Sequence, residues 1–130
     1  MPPGKLLLAV LVALIGGGCA STPWNSSKEF LPPAPPGTQW KLAWQDEFSG
    51  TELDETKWNR LGDWKRRDGY WVKKDAYLSG KGTLLLRTRL DGDRYTCGAV
   101  NTRDKFEHAF GYYVARCKLP QQPGHWPAFW

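Results

Sequence analysis

Two short acidic segments are the places in this sequence where paired carboxylates could do chemistry. Asp46 and Glu47 are adjacent in a strand-like run, so their side chains point to opposite faces and do not form a pair. Glu52 and Asp54 have the alternate spacing that puts two carboxylates on one face of a strand. They follow an apolar run in a polar, turn-like segment, and neither the second nor the third residue after Asp54 is Glu. The pattern favours a turn with solvated carboxylates, and we assign no catalytic residue.

Aromatic side chains are the second chemical signal. The chain carries eight Trp, five Tyr and five Phe. A Trp side chain buries a large apolar area, so a small domain can use several of them as core. Sugar rings also present flat C–H faces that lie on aromatic rings. For a set this large in one small domain, we favour a surface that binds carbohydrate.

The N-terminal residues have the character of an export signal. Lys5–Ile15 is a basic residue followed by an unbroken apolar run, shorter than the roughly 20 residues that a membrane span needs. Small residues follow, and Cys19 stands where a bacterial lipoprotein is cleaved and acylated, although Gly16 occupies the place where Leu is usual. We predict a lipoprotein-type signal over 1–19 with Cys19 lipidated. Ordinary export and an uncut signal anchor remain alternatives.

A stiff tether separates this signal from the domain. Residues 20–38 are rich in Ser, Thr, Pro and Asn and end in the proline-rich stretch Leu31–Gly37. Proline-rich chain is extended and does not enter a sheet interior. We therefore predict a tether over 20–38 and a folded domain over 39–130. The protein would be an outer-membrane or cell-surface lipoprotein, or extracellular.

The charge of the chain does not favour a nucleic-acid partner. The formal net charge is +5, spread along the sequence apart from Lys65–Arg67 and Lys73-Lys74. Binding to nucleic acid needs a concentrated basic face. We interpret the excess of basic residues as part of a solvated surface. The alternative is that it attracts an acidic polysaccharide.

Short aromatic and β-branched runs alternate with Gly, Asp and Pro, which is typical of an all-β sandwich or barrel. The predicted strands are Trp40–Phe48, Tyr70–Val72, Thr83–Thr88, Arg94–Thr102, Phe106–Phe110 and Tyr112–Leu119. Turns are expected at Gly80–Gly82 and at Asp91-Gly92, and a single helical turn over Leu53–Trp58. The alternation within Tyr113–Leu119 places Tyr, Ala, Cys and Leu on a core face.

Two cysteines remain if Cys19 carries lipid. Cys97 and Cys117 both lie in strand-like runs, and an exported protein permits a disulfide between them. The sequence does not supply the Cα separation that a bridge requires. A disulfide and two independent buried thiols are both compatible with the pattern.

Three segments resemble glycoside hydrolase family 16, and together they extend from about Gln39 to Trp130. Trp40–Trp58, WKLAWQDEFSGTELDETKW, resembles the opening of those domains. Tyr95–Pro120, YTCGAVNTRDKFEHAFGYYVARCKLP, is similar to the family's Cys-Gly strand, its K-F turn and the A-R-x-K-L-P strand. Gly124–Trp130, GHWPAFW, resembles the segment that precedes the catalytic strand.

The resemblance implies a concanavalin-like jelly-roll β-sandwich whose concave sheet forms a cleft for a polysaccharide. It further implies retaining hydrolysis of internal β-1,3 or β-1,3-1,4 glucan bonds by a strand of the form E-x-D-x-E. No such strand occurs in these 130 residues. We therefore expect an incomplete, truncated domain, the N-terminal part of an endo-β-glucanase that is inactive alone. The alternatives are a non-catalytic glucan-binding module and a hydrolase of sulfated galactans.

The resemblance also nominates residues that contact the substrate. For each candidate, a role in the cleft and a role in packing or in a loop are both compatible with the sequence. We favour packing for Trp130 and a sugar-binding platform for Trp126. The candidates are Trp71, Asn101, Arg103, His125, Trp126 and Trp130. The chemistry would need no cofactor. A structural Ca²⁺ on the convex side would use backbone oxygens at Glu47 and Gly82, a set too small for the six to eight oxygens that Ca²⁺ prefers.

Overall fold

The computed structural model describes residues 8–14 and 31–130. Within them the chain forms β-strands and one short 3₁₀ helix at Lys73–Asp75. The strands are β1 (Leu8–Leu14), β2 (Gln39–Asp46), β3 (Asn59–Arg60), β4 (Trp64–Arg66), β5 (Gly69–Trp71), β6 (Ala76–Leu78), β7 (Leu84–Leu86), β8 (Thr88–Asp91), β9 (Arg94–Cys97), β10 (Val100–Asn101) and β11 (Tyr112–Ala115). The predicted all-β class is confirmed, and the short open sheets are consistent with part of a jelly roll. No helix among the described residues is long and apolar enough to cross a membrane.

The described chain divides into two compact units. One consists of Glu47–Glu107, and the other of Leu8–Leu14, residues 31–46 and His108–Trp130. The first is called the central unit below, and the second the terminal unit.

The terminal unit contains a sheet in the order β11-β1-β2, with both neighbours antiparallel to β1. Leu8 pairs with Ala115 on one side and with Asp46 on the other. The apolar run predicted to be the core of an export signal therefore supplies a strand. The assignment of 1–19 as a signal stays a prediction, and Cys19 lies outside the described residues.

Part of the predicted tether also lies outside the described residues, but its last turn is structured. The backbone N–H and the hydroxyl of Thr38 both donate hydrogen bonds to the carbonyl of Pro35. The indole Nε1 of Trp40 donates to the carbonyl of Pro32 at 2.8 Å. The proline-rich segment thus turns back onto the first aromatic residue of β2.

Three small sheets make up the central unit. The largest has the order β4-β5-β9-β8, in which β5 and β9 run parallel and the other pairs antiparallel. The hairpin β6-β7 and the pair β3-β10 complete the unit. The predicted turns are confirmed: Gly80, Gly82 and Gly92 adopt positive φ angles of 70°, 73° and 64° in the two hairpin loops.

The hydrophobic core of the central unit is small. It consists of Phe48, Leu53, Trp58, Ala76 and Leu84. The rings of Phe48 and Trp58 lie 5.7 Å apart. The expected helical turn over Leu53–Trp58 is present, because the carbonyl of Asp54 accepts the N–H groups of Lys57 and Trp58.

Asp75 is the polar centre of the same unit, and its side chain is fully buried. Its Oδ1 accepts hydrogen bonds from Arg87 Nη2 at 2.6 Å and Nε at 2.9 Å, and from Arg89 Nε at 3.2 Å. Burial by itself acts to raise the pKa of this carboxyl. The neighbouring Thr96 hydroxyl, and the hydrogen bonds and charge of Arg87 and Arg89, outweigh that effect and hold the pKa below its ordinary value.

Backbone contacts connect the same residues. The backbone N–H of Arg87 donates to the carbonyl of Asp75 at 2.8 Å, and the N–H of Gly98 donates to the carbonyl of Arg87 at 3.0 Å. A Cβ atom on Gly98 would lie 2.1 Å from the carbonyl oxygen of Asp75. Only glycine permits this close approach.

Several strand predictions were wrong in extent. Thr83–Thr88 is divided between β7 and β8, and Arg94–Thr102 is interrupted after Cys97, where the chain passes close to Asp75. Phe106–Phe110 is not a strand. Its backbone instead follows a turn in which the N–H of Phe106 donates to the carbonyl of Thr102.

The predicted core face of Tyr113–Leu119 was also wrong. The strand ends at Ala115, Tyr113 is 40% exposed and Leu119 is 58% exposed. Alternation assigns side chains to two faces, but burial needs a second layer, and the described part of the terminal unit does not provide one for this face.

The described cysteines are free thiols. Cys97 is half-buried, while Cys117 is exposed, so the expectation of two buried thiols fails for Cys117. Burial, followed by the nearby charge of Asp75, raises the pKa of Cys97. Its Sγ faces the carbonyl of Tyr70 at 3.6 Å.

We expect Asp75→Asn to destabilise the chain by about 2–4 kcal/mol, because the amide presents an NH₂ group or a neutral oxygen to two guanidinium groups. Urea denaturation of the full chain measures the change. Asp93→Asn is the matched control, since Asp93 is exposed in the β8-β9 turn, and its effect should stay within about 0.5 kcal/mol. Equal effects of the two substitutions would contradict the central role of Asp75.

The contribution of Asp75 should depend on pH in a defined direction. A carboxyl whose pKa is lowered on folding stabilises the fold above its ordinary pKa of about 4, and this stability is lost as the pH falls through the lower, folded value. The difference in unfolding free energy between wild type and Asp75→Asn should therefore shrink on acidification below about pH 4. A difference that grows in acid would show that the sign is wrong.

Gly98→Ala should cost at least about 3 kcal/mol, because its Cβ would overlap the backbone of Asp75 and Ala76. Gly80→Ala is the comparison: Gly80 has a φ of 70° but nothing within 4 Å of the added atom. Its cost should be only about 1 kcal/mol, from backbone strain alone. Thermal unfolding of both variants measures the contrast, and a Gly98→Ala chain as stable as wild type would refute the steric argument.

Candidate functional site

A pocket of about 500 Å³ lies in the central unit beside β5, the 3₁₀ helix and the β8-β9 hairpin. Its lining includes Tyr70, Trp71, Lys73, Lys74, Asp91 and Arg94. A volume of this size falls within the range of small-molecule sites, about 300–1,000 Å³. Trp71 is the sequence-predicted substrate contact that the structure places in this pocket.

Trp71 is half-buried at the end of β5. It pairs across the sheet with Trp64, whose ring meets it edge-on at 6.1 Å, and on the other side with Cys97. The guanidinium of Arg66 lies 5.2 Å from the centre of the Trp71 ring. This packing fixes the orientation of the indole before any ligand arrives.

Tyr70 and Arg94 form the second aromatic–cation pair of the site. The guanidinium carbon of Arg94 lies 4.8 Å from the centre of the Tyr70 ring. Arg94 begins β9 directly after the Gly92-Asp93 turn, which brings it to the pocket. A guanidinium at this distance is attracted by the ring, and its N–H donors lie in its own plane.

The two carboxylates that line the pocket are already engaged. Asp63 Oδ1 accepts the backbone N–H of Lys73 at 3.0 Å. Asp91 contacts Arg89 at 2.9 Å and Lys74 at 3.6 Å. The hydrogen bond and charge of Arg89, followed by Lys74, lower the pKa of Asp91, so it is ionised at neutral pH and is no proton donor.

Asn101 and Arg103 lie together and are not among the residues that line this pocket. Asn59 Nδ2 donates to Asn101 Oδ1 at 3.0 Å and to the backbone carbonyl of Arg103 at 2.9 Å. The Asn101 oxygen also accepts the N–H of Arg103 at 3.3 Å. The side-chain oxygen of Asn101 thus connects β10 to β3. The Arg103 side chain is exposed.

The remaining sugar-contact candidates belong to the terminal unit. His125, Trp126 and Trp130 lie in its irregular last segment, and all three are exposed. Trp126 is 80% exposed and Trp130 is 96% exposed. The packing role preferred for Trp130 and the sugar-platform role preferred for Trp126 both stay predictions.

The predicted calcium ligands are backbone oxygens at Glu47 and Gly82, and this site stays a prediction. Glu47 is half-buried, and Gly82 sits in the β6-β7 loop. Across residues 8–14 and 31–130 no group of three or more His, Cys, Asp or Glu side chains is placed to hold a metal. The two backbone oxygens would supply only a minority of the ligands that Ca²⁺ takes.

Sequence reasoning missed the basic component of the pocket. Arg66 and Lys73 were noted only as members of charge runs, and Arg94 only as the start of a strand. The available signal was their position beside Tyr70-Trp71 and after the Asp-Gly turn. The parallel pairing of β5 with β9, which sets Tyr70 opposite Thr96, is not visible in the sequence.

Comparisons with known proteins identify related enzymes. A glucan endo-1,3-β-glucosidase A1 of Niallia circulans is 30% identical over 118 residues, covering 68% of this chain and 16% of that protein. A β-glucanase of Rhodothermus marinus is 32% identical over 102 residues, covering 70% of this chain and 35% of its own length. An endo-1,3-1,4-β-glycanase of Rhizobium meliloti is 36% identical over 45 residues, which is 35% of this chain and 10% of that protein.

No family model and no solved structure matches the chain. The chain spans about a sixth and about a third of the first two relatives. All three relatives carry names of β-glucan- or β-glycan-cleaving enzymes. The chain is therefore a homologue of the β-glucanases of the glycoside hydrolase family 16 type.

Proposed function

We propose that this chain is the N-terminal part of an exported endo-β-glucanase. The whole protein would hydrolyse internal bonds of a β-1,3 or β-1,3-1,4 glucan with retention of configuration. The observation that carries the proposal is the identity of 30% and 32% to two β-glucan-cleaving enzymes over about two thirds of the chain. The half-buried Trp71 in the pocket of the central unit supports it, since an aromatic ring suits the apolar face of a sugar.

Retaining hydrolysis needs two carboxyl groups about 5–5.5 Å apart, one as nucleophile and one as acid and base. The carboxyls of the described pocket do not fit these roles. Asp91 is held by Arg89 and Lys74, and Asp63 accepts a backbone N–H of the 3₁₀ helix. We therefore assign the catalytic carboxylates to a part of the whole protein outside this chain, and part of the glucan-binding surface to the chain itself.

Export and anchoring belong to the same proposal. The apolar N-terminal run and Cys19 support a lipoprotein that is held at a membrane while its domain faces extracellular polysaccharide. A structural Ca²⁺ near Glu47 and Gly82 is retained as a proposal, and the oxygens to complete it would come from outside the described residues.

The 130-residue chain should release no reducing sugar above the blank from either a β-1,3 glucan or a mixed-linkage glucan. The gene product that contains it should carry an E-x-D-x-E strand, hydrolyse the glucan and release the β-anomer first, as proton NMR detects. Replacing the first Glu of that strand by Gln should abolish turnover, because no nucleophile remains.

Release of sugar by the 130-residue chain alone would contradict the assignment of the carboxylates. A gene product without the acidic strand that still binds glucan would show a non-catalytic binding module. Turnover of a sulfated galactan with no action on glucan would show that the substrate is wrong and the reaction class right.

A further inference from the structure

The pocket beside Trp71 contains cations that have no carboxylate partner. Arg60, Arg87, Arg89 and Lys74 each form an ion pair with Asp or Glu in the central unit. Lys73, Arg94 and the adjacent Arg66 form none within the part of the chain that the structure describes. Their charges are thus not neutralised where they meet the aromatic pair Tyr70 and Trp71.

Contact with an aromatic ring positions two of these cations. The guanidinium carbon of Arg66 lies 5.2 Å from the centre of the Trp71 ring, and that of Arg94 lies 4.8 Å from the centre of the Tyr70 ring. The N–H groups of each guanidinium lie in its plane, and no hydrogen bond from either guanidinium is found among the described residues. A planar set of donors is suited to the two oxygens of a carboxylate or sulfate group.

The acidic residues of the pocket do not cancel this charge. Asp91 is shared by Arg89 and Lys74, and Asp63 is used by the backbone of Lys73. A neutral glucan would need only the aromatic ring and hydroxyl-binding groups.

We infer that this pocket binds a sugar that carries an anionic substituent, a sulfate half-ester or a carboxylate. The sugar ring lies against the Trp71 side of the pocket, and Arg94 and Lys73 bind the substituent. Arg66 acts as a neighbouring cation that positions the Trp71 ring. The inference rests on the proposed glucanase function for the sugar and adds the class of its decoration.

The test compares one glucan backbone in three forms: a neutral β-1,3-glucan, the same glucan with sulfate half-esters, and the same glucan with carboxymethyl groups. Binding of the full chain to each is measured by isothermal titration calorimetry at about 0.15 M salt, where long-range attraction is screened. The readout is the ratio of the Kd for the neutral glucan to the Kd for each charged form. The sulfated and carboxymethylated arms distinguish the two sources of negative charge.

Wild type should bind at least one charged form about tenfold more tightly than the neutral glucan, the gain expected from one charge-assisted hydrogen-bonded pair. Arg94→Gln and Lys73→Gln should each lower that ratio about threefold to tenfold, since each removes one cation from the pocket. Lys81→Gln is the matched control: it removes one positive charge from the exposed β6-β7 turn, away from the pocket. It should change the ratio less than about twofold.

Two results would overturn the inference. One is a wild-type ratio near one for both charged forms. The other is a loss in Lys81→Gln as large as in Arg94→Gln, which would show attraction spread over the whole surface. Arg94 and Lys73 are both exposed. Binding is compared only for variants whose thermal unfolding midpoint equals that of wild type, so that loss of fold does not imitate loss of binding.

The outcome is separable from that of the proposed function. A gene product that hydrolyses neutral glucan while the ratio stays near one leaves the glucanase proposal intact and removes the anionic subsite. A gene product without hydrolase activity whose ratio depends on Arg94 and Lys73 supports the anionic subsite and contradicts the glucanase proposal.

Discussion

The buried carboxylate of Asp75 is the interaction on which the central unit depends. An ionised group without solvent is costly unless it is paired and hydrogen-bonded, and here Arg87 and Arg89 provide the pairing. Both arginines come from the chain that follows the β6-β7 hairpin. Pairing the Oδ1 of this carboxylate with both guanidinium groups therefore constrains where β8 lies. The absence of a side chain at Gly98 lets the chain after β9 pass against the same backbone.

That constraint extends to the pocket. Asp75 ends the 3₁₀ helix whose first residues are Lys73 and Lys74, so fixing Asp75 fixes the helix that lines one side. Arg89 uses a second donor for Asp91, which in turn contacts Lys74. The acidic residues are thereby committed to internal ion pairs, and the cations on the aromatic rings are left for a ligand. One arrangement of charges thus underlies both the structural requirement and the proposed binding property.

The relatives are β-glucan-cleaving enzymes, while the described pocket brings aromatic rings and cations together and its two carboxyls are held by internal contacts. These facts agree if binding and cleavage are contributed by different parts of a β-sandwich, since a long glycan needs many contacts along a cleft but only one pair of reacting groups. The cation-rich surroundings of Trp71 add a feature that a neutral polymer does not require. They make the decoration of the glycan, as well as its linkage, a property that this surface would distinguish.

Local sequence was sufficient where neighbouring residues decide the outcome. The all-β class, the Asp-Gly and Gly-Lys-Gly turns, the helical turn before Trp58 and the family resemblance follow from residue types at short spacing. It was insufficient where distant residues meet. The pairing of Asp75 with Arg87 and Arg89, the parallel contact of β5 with β9, the break at Gly98 and the grouping of Arg94 with Lys73 depend on chain segments brought together in three dimensions. The exposed face of β11 shows the same limit, because alternation assigns a side chain to a face and only tertiary packing decides whether that face is covered.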